Sequence, residues 1–435
     1  MPHPLKGLLG ALAMACGPLW AAAPTPYATP AAPAVPLVAC PVPAERPDVG
    51  NPFANLEPPI DGAARMSAAQ TNPGWKALLT DPDPEVVACA KFLLVTMPAA
   101  DWEKLPPDFL AVNIREALAA RRAHAWAAKV PWPLFLNDVL PYACLDEPRE
   151  AWRADFRRRF GAMVKDAKTR DEAARIVNAR IQDETGVKYS TKRRAPNQSP
   201  ADSMRQSMAS CSGLSILLCD AFRAIGLPAR VAGVPTWTTI NGNHNWVEVW
   251  LGADGAPKPD SAITPPDAAD WARAWRVTEY NPDAKGWDHA WFMDRAAAAD
   301  PARPETRIYA TSWHRTGLAF PMVWNLASRQ VHGLDRTAAY HGLAGGHRQA
   351  IAADRCLISV RATRSGKRVA ANVAIVQPGQ PDRSVVTRGE DKDLNDIARF
   401  EVPAGPGRVE LRVGDVTVVA VPAGGKEVVV ELVLP

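Results

Sequence analysis

The 435-residue chain lacks the patterns on which several large functional classes depend. Its formal net charge is only +4, and the small excess of lysine and arginine is spread along the chain, which does not favour nucleic-acid binding. The densest basic cluster, residues 157–159, is typical of a solvated helix face. No phosphate-binding loop and no dinucleotide fingerprint are present. These absences argue against nucleotide-dependent enzymes and against nucleic-acid partners.

Metal-ligand spacing is also missing from the sequence. The seven cysteines are scattered singly, without a Cys-x-x-Cys pair. His332, His341 and His347 lie in a glycine-rich stretch whose spacing does not suit ligation from one helix or strand. We therefore predict no metal site from the sequence.

Long apolar runs are confined to the N-terminus. Lys6 precedes an apolar segment over residues 7–20, which is followed by three alanines. This combination is typical of a secretory signal peptide. The segment is too short to span a membrane. We therefore predict a signal peptide over residues 1–23 and a periplasmic or secreted mature chain with no stable membrane span. Cys16 follows Leu-Ala-Met-Ala, which is a poor lipobox, so lipoprotein anchoring is not favoured.

The functional prediction depends on Cys211 and His244. Cys211 stands at the start of a helical segment, and His244 stands at the start of a strand segment. A free thiol is mostly protonated at neutral pH, whereas a helix N-terminus and a nearby imidazolium both stabilise the thiolate. A thiolate can attack an amide carbonyl and form a thioester. The pairing therefore predicts acyl-transfer chemistry.

The periodicity around these two residues agrees with that placement. Apolar residues recur at three- and four-residue steps over Leu214–Ile225, which predicts a helix with one buried face. Ser210 is the expected N-cap, which leaves Cys211 in the first turn, where free N–H groups point outward. Residues 229–237 and 245–251 are predicted as strands. A helix that carries the cysteine and packs on a sheet that carries the histidine would bring the two side chains together.

Three motifs in this region occur in a recognisable order. They are Ser-Cys-Ser-Gly over residues 210–213, Gly-Leu-Pro-Ala-Arg over 226–230 and Asn-His-Asn-Trp-Val-Glu-Val over 243–249. This order resembles the transglutaminase-like core, whose superfamily covers transglutaminases, bacterial cysteine peptidases of similar fold and peptide N-glycanases. The resemblance implies no obligatory cofactor. The chain has no acidic loop to nominate for the calcium that some transglutaminases need.

The third catalytic position departs from the family pattern, which places an aspartate about four residues after a tryptophan. Here Trp250 is followed by a proline- and aspartate-rich insertion that runs through Asp270. A strand-like segment, residues 274–282, comes only afterwards. Within that segment Glu279 lies four residues after Trp275, which matches the family spacing. The family spacing therefore favours Glu279 for the third position.

Glu279 would orient His244 by accepting its imidazole N–H and would stabilise the imidazolium. Asn281 is the main competitor, because papain-like enzymes use asparagine at this position. Asp260 and Asp283 remain as weaker alternatives. The sequence does not decide among these residues.

Four residues are candidates for lining the substrate site or for stabilising the oxyanion. They are Gln206, Trp237, Trp246 and Asn281. The backbone N–H of Cys211 is a natural donor to a developing oxyanion, and Gln206 is a candidate for the second donor.

Composition and periodicity divide the chain into regions beyond the signal peptide. Residues 24–60 are rich in proline and alanine and are predicted as a linker, and residues 61–165 show helical periodicity. The catalytic core is placed at residues 166–300 and a mixed connecting region at 301–350. Short β runs at near-regular spacing over residues 351–435 predict an immunoglobulin-like or carboxypeptidase-regulatory-like β-sandwich. The expected fold class is α+β, with a transglutaminase-like (papain-like) core.

Two functions from different classes are compatible with this sequence. The first is a secreted cysteine enzyme, either a peptidase or amidase or a protein-glutamine acyltransferase, that acts on a peptide, protein or cell-wall amide through a thioester on Cys211. Hydrolysis is preferred over transfer, because water is the default acceptor. The second is a catalytically silent module that binds peptides or cell-wall polymers in the same cleft. The sequence specifies neither the substrate nor the oligomeric state.

Overall fold

The structure is a computed structural model, and it describes residues 50–55, 60–238, 240–252, 274–343 and 352–435. The predicted signal peptide, most of the proline- and alanine-rich linker and the alternative third residue Asp260 lie outside the described residues. None of the helices in the described part of the chain is both long enough and apolar enough to cross a membrane.

Helices dominate the first half of the described chain. The α-helices are α1 (Gly62–Thr71), α2 (Pro73–Leu79), α3 (Pro84–Thr96), α4 (Ala99–Lys104), α5 (Pro107–Ala123), α6 (Ala125–Ala128), α7 (Trp132–Asp138), α8 (Arg153–Met163), α9 (Arg170–Thr185), α10 (Pro200–Gln206), α11 (Cys211–Ala224), α12 (Met293–Ala297) and α13 (Thr337–Leu343). A single 3₁₀ turn is described, over Pro304–Thr306.

Strands dominate the second half. They are β1 (Lys188–Tyr189), β2 (Met208–Ala209), β3 (Ala229–Val234), β4 (His244–Trp250), β5 (Trp275–Thr278), β6 (Tyr309–Ser312), β7 (Leu318–Ala319), β8 (His332–Asp335), β9 (Arg355–Arg364), β10 (Lys367–Arg368), β11 (Asn372–Val376), β12 (Arg383–Val386), β13 (Ala398–Pro403), β14 (Val409–Val413), β15 (Val416–Ala420) and β16 (Lys426–Leu434).

The N-terminal helices begin at local capping signals and share one apolar core. Asp61, Asn72 and Asp83 cap α1, α2 and α3 by accepting hydrogen bonds from backbone N–H groups of the first turn. Proline occupies the first helical position of α2, α3 and α5, where its missing N–H has no intrahelical partner to lose. The apolar faces of these helices pack into one cluster, which also includes Trp250 and Trp275 from the central sheet. The helices therefore rest on one edge of that sheet.

A six-stranded sheet in the order β5-β4-β3-β6-β8-β7 forms the centre of the molecule. All residues of β3 and β4 are buried, so these two strands are covered on both faces. Helix α11 packs on this pair, and its apolar side chains lie in the same core as Val231, Val247 and Val249. Strands β6, β7 and β8 fall within the predicted connecting region 301–350, and they extend the sheet beyond residue 300.

The C-terminal segment forms two four-stranded sheets around a separate apolar core. One contains β10, β9, β13 and β16, and the other has the order β12-β11-β14-β15. The last strand, β16, pairs in parallel with β9, whereas the other pairs of these two sheets are antiparallel. The expected α+β class is confirmed.

Candidate active site

Cys211 is the first residue of α11, and its position follows from the local sequence. Ser210 adopts an extended conformation before the helix, and its Oγ accepts a hydrogen bond from the N–H of Gly213 at 3.2 Å. The same hydroxyl donates to the carbonyl oxygen of Pro196 at 2.6 Å, which fixes the start of the helix against the preceding loop. The thiol of Cys211 is partly exposed, unlike the other described cysteines, which are buried. It therefore lies at the positive end of the helix dipole, where a thiolate is stabilised.

A side-chain bridge links the residues next to the cysteine and the histidine. The Nδ2 group of Asn245 donates to the Oγ of Ser212 at 2.8 Å, so β4 is held against the first turn of α11. Gly233 on the neighbouring strand makes room for this bridge, because a Cβ atom there would lie 2.0 Å from Oδ1 of Asn245. The bridge fixes the relative positions of Cys211 and His244.

His244 begins β4 and is held by a carboxylate from the adjacent strand region. Its Nε2 atom lies 2.7 Å from Oε1 of Glu279, which follows β5. Because a carboxylate accepts this N–H, the opposite ring nitrogen, Nδ1, is directed away from Glu279. Glu279 is itself fixed by the indole N–H of Trp291, which donates to the same carboxylate oxygen at 3.3 Å. The structure thus brings together His244 and the residue that the sequence nominated to orient it.

Aromatic side chains enclose the imidazole. The ring centroids of Trp291 and Phe292 lie 4.9 and 5.1 Å from that of His244, and the ring centroid of Trp246 lies at 5.8 Å. Trp237 lies farther away, at 6.5 Å, and stacks on Trp246. Only 2% of the His244 side chain is exposed, so water competes little for its hydrogen bonds.

A second carboxylate reaches the histidine from the C-terminal sheets. Oδ2 of Asp393, in the loop between β12 and β13, lies 3.4 Å from Nδ1 of His244. One donor atom each from Cys211, His244 and Asp393 lies within 4.8 Å of the others. The loop is anchored beside the site by Asn395, whose Nδ2 donates to the carbonyl oxygen of Asn243 at 2.6 Å. The candidate site therefore contains a residue located about 150 positions after the histidine.

The charges around His244 favour its protonated form. Burial by itself lowers the pKa of His244, but the facing carboxylates of Asp393 and Glu279 and the nearby sulfur of Cys211 outweigh burial, and the pKa is raised well above its ordinary value. Burial raises the pKa of Glu279 although His244 donates to it. The pKa of Asp393 is lowered despite burial, because the imidazolium and the donors of Asn395 stabilise its charge. An imidazolium at neutral pH is the partner that a thiolate requires.

The remaining candidates lie in different surroundings. Trp237 and Trp246 are buried next to His244, and the indole N–H of Trp237 has no hydrogen-bond partner among the residues that the structure describes. Gln206 uses its amide elsewhere: its Nε2 donates to the carbonyl oxygen of Asp202 at 3.3 Å, and its Oε1 accepts from the N–H of Arg194.

The competitors for the third position are not held at the imidazole. Asn281 is exposed, and Asp283, also exposed, accepts a hydrogen bond from the N–H of Lys285. Within the described ranges, neither has a recorded contact with His244. Among the three alternatives that the structure describes, only Glu279 lies against the histidine.

Asp393 was not predicted from the sequence. The predicted carboxylates all follow the His244 strand closely, whereas Asp393 belongs to an acidic turn, residues 390–396, in a predicted β-sandwich. No local periodicity relates that turn to the core, because the contact depends on how the C-terminal sheets are placed on it. The acidic composition of the turn was the only available signal, and acidic turns are common on protein surfaces.

Comparison with known proteins finds a family similarity in the central part of the chain. The sequence model of the transglutaminase-like superfamily matches residues 158–292, a segment that contains Cys211, His244 and Glu279. Among solved structures, a transglutaminase from red sea bream aligns with 11% identity and a TM-score of 0.27, over 62% of this chain and only 57% of its own length. No curated protein matches the sequence. Residues 158–292 form a core of the transglutaminase-like superfamily.

Proposed function

We propose that this chain is a secreted cysteine enzyme that cleaves peptide or amide bonds through a thioester on Cys211. The observation that carries the proposal is the joint placement of a partly exposed thiol at a helix N-terminus and a buried histidine clamped by Glu279. Members of the superfamily act on protein or peptide substrates, which makes a peptide amide the preferred substrate class. The N-terminal sequence supports export.

In the acylation step, the thiolate of Cys211 attacks the amide carbonyl and forms a tetrahedral oxyanion. His244 then transfers its Nδ1 proton to the leaving amine, the C–N bond breaks, and the thioester remains. Glu279 keeps the Nε2–H in place throughout and stabilises the imidazolium before that transfer. The backbone N–H of Cys211 is one candidate oxyanion donor, and the buried indole N–H of Trp237 is a second.

In the deacylation step, neutral His244 accepts a proton from water at Nδ1, and the resulting hydroxide attacks the thioester. The carboxylic acid leaves, and Cys211 and His244 return to the ion pair. An amine acceptor would follow the same route and give a new amide instead. We propose hydrolysis as the main outcome, because water is the default acceptor.

The second candidate function is the catalytically silent binding module. The observation in its favour is Asp393, whose carboxylate stands beside the reaction centre and shares the imidazolium with the thiol. A carboxylate there competes with a thiolate for the same positive charge. Under this alternative the thiol is unreactive, and ligand binding does not depend on Cys211.

Alkylation of Cys211 by iodoacetamide between about pH 5 and 9 separates the two functions, since an unperturbed thiol ionises only near pH 8.5. Because the pKa of His244 is raised, the imidazolium persists through neutral pH and can hold a thiolate there. We expect rapid labelling at about pH 6 in the wild type, and in His244→Ala labelling that rises only above about pH 8. Peptide mass mapping identifies the modified cysteine.

The buried cysteines Cys89, Cys144, Cys219 and Cys356 serve as internal controls, because they should remain unlabelled in the folded protein. The assay contains a metal chelator, so that trace metal ions do not block Cys211 and the pH changes only the protonation of the protein. If wild type and His244→Ala show the same slow labelling at about pH 6, Cys211 is an ordinary thiol and the binding module becomes the better proposal.

The orienting residue is tested by comparing Glu279→Gln with Asn281→Ala. Glutamine removes the negative charge that holds the imidazolium, and we expect amide turnover to fall by about 10²-fold. Asn281 is exposed and should tolerate alanine with turnover unchanged within about twofold, as surface substitutions usually do. Turnover is measured with a panel of chromogenic peptide amides. A larger loss in Asn281→Ala than in Glu279→Gln would reverse the assignment.

A further inference from the structure

The Nδ1 atom of His244 is a buried polar atom without a normal hydrogen bond. The Nε2 atom of the same ring has a short contact with Glu279, but Nδ1 has no hydrogen-bond partner among the described residues. Asp393 faces it at 3.4 Å, beyond the usual length of a hydrogen bond to a charged group. Leaving such an atom without a partner is costly in a site that is almost closed to water.

The spacing of the donor atoms matches a bound metal ion better than a direct hydrogen bond. A tetrahedral zinc ion with ordinary bond lengths separates a nitrogen and an oxygen ligand by about 3.4 Å. The observed separation between Nδ1 of His244 and Oδ2 of Asp393 is 3.4 Å. The sulfur of Cys211 lies within 4.8 Å of both, and a tetrahedral site requires about 3.6 Å between sulfur and nitrogen. A small rotation of the thiol would complete a set of three ligands.

The surroundings of these ligands also resemble those of a metal site. A histidine that binds a metal through one nitrogen usually donates its other N–H to a carboxylate, which fixes the tautomer. Glu279 occupies that position on His244 at 2.7 Å. Thiolate, imidazole and carboxylate together suit zinc and its close relatives rather than calcium or magnesium.

Asp393 is held in place by its own loop as a ligand would be. Its Oδ1 accepts hydrogen bonds from the N–H and the Nδ2 group of Asn395, at 2.8 and 3.1 Å, which leaves Oδ2 directed at His244. Its carbonyl oxygen accepts from Arg368 at 2.9 Å. Only 8% of the Asp393 side chain is exposed. In the acyl-transfer steps this preorganised carboxylate carries no proton, and its only effect there is to stabilise the imidazolium of His244.

We propose that Cys211, His244 and Asp393 bind one zinc ion, with the fourth position open to water, and that the bound ion switches off the thiol. Zinc coordinates the sulfur and Nδ1, so neither the nucleophile nor the proton carrier is available while the ion is bound. Binding displaces the proton from Nδ1 and requires the thiolate. Because Asp393 belongs to the C-terminal sheets, the ion also ties that segment to the core.

The test is a titration of the full-length, chelator-treated and reduced protein with Co²⁺. This ion binds at zinc sites and gives a near-ultraviolet charge-transfer band when one of its ligands is a thiolate. We expect binding of one Co²⁺ per chain with this band, and displacement of Co²⁺ by Zn²⁺. Cys211→Ser should remove the band, and Asp393→Ala should weaken binding by at least about tenfold. Asp393→Asn repeats the test with a side chain of nearly unchanged shape.

Asp391→Ala is the matched control, because Asp391 lies in the same loop with 70% of its side chain exposed, and its Co²⁺ affinity should equal that of the wild type. Thermal unfolding of each variant, with and without Zn²⁺, separates loss of a ligand from loss of the fold. Absence of stoichiometric binding, or binding that Cys211→Ser and Asp393→Ala leave unchanged, would overturn the proposal. No substrate is involved, so this outcome is independent of amide turnover.

Discussion

Replacement of Cys211 by alanine is expected to lower amide turnover on the order of 10⁴-fold or more, because the covalent step loses its nucleophile. The helix should form as before, since alanine is the best helix former and the cap on Ser210 is unaffected. Binding of a peptide ligand should therefore survive. The measurement is turnover of the best chromogenic amide, together with calorimetric binding of a peptide that contains the same sequence.

Cys219→Ala provides the matched control for this substitution. Cys219 lies on the same helix, about two turns farther on, and is buried in the apolar core. Its removal should leave turnover within about twofold of the wild type, apart from a modest loss of stability. Turnover that persists in Cys211→Ala would mean that another group carries the acyl transfer.

Replacement of Arg153 by alanine is expected to lower the free energy of unfolding by about 3–5 kcal/mol, which is among the largest effects available in this chain. Arg153 is only 2% exposed, and its guanidinium donates to Oδ1 of Asn113 and to the carbonyl oxygens of residues 139–141. It also donates to the carbonyl oxygen of Arg223 on α11. These acceptors lie on α5, after α7 and on α11, and alanine would remove a buried donor from each of them. The carbonyl oxygens of Leu140 and Arg223 would each keep one other donor.

Arg158→Ala is the control on the same helix. The Arg158 side chain is 71% exposed and pairs with Asp155 at the surface, so its loss should change the free energy of unfolding by less than about 1 kcal/mol. Urea unfolding followed by circular dichroism measures both variants. Similar destabilisation by the two substitutions would show that the contacts of Arg153 are not a special source of stability.

The helix and strand that carry Cys211 and His244 could be predicted from the sequence, because their start points and buried faces depend on neighbouring residues. The N-cap at Ser210, the apolar periodicity of α11 and the strand at His244 follow from capping and side-chain alternation. The sequence predicted a cap at Ser210 and apolar helical periodicity from Leu214. In the structure the helix begins at Cys211, directly after that cap. Glu279 was nominated from its spacing to Trp275, and the structure places it against the histidine.

Other features depend on long-range packing, which no local pattern encodes. Within the predicted helical region 61–165, the chain is interrupted at His124, whose extended backbone separates α5 from α6. Strand β12 was not predicted, because its residues Arg383–Val386 are largely exposed and show no buried alternation. The position of Asp393 depends on the docking of the C-terminal sheets. Packing between elements thus determines where some of the helices and strands form and which loops meet.

The route by which the chain closes this centre follows from the sequence separation of its contacts. The bridge between Asn245 and Ser212 joins residues 33 positions apart, and the contact between His244 and Glu279 joins residues 35 apart. The contact that anchors the Asp393 loop, from Asn395 to Asn243, spans 152 positions and costs about 1 kcal/mol more in loop-closure entropy. We therefore expect the thiol and imidazole to meet first during refolding, and the carboxylate of the Asp393 loop to reach a pair that is already assembled.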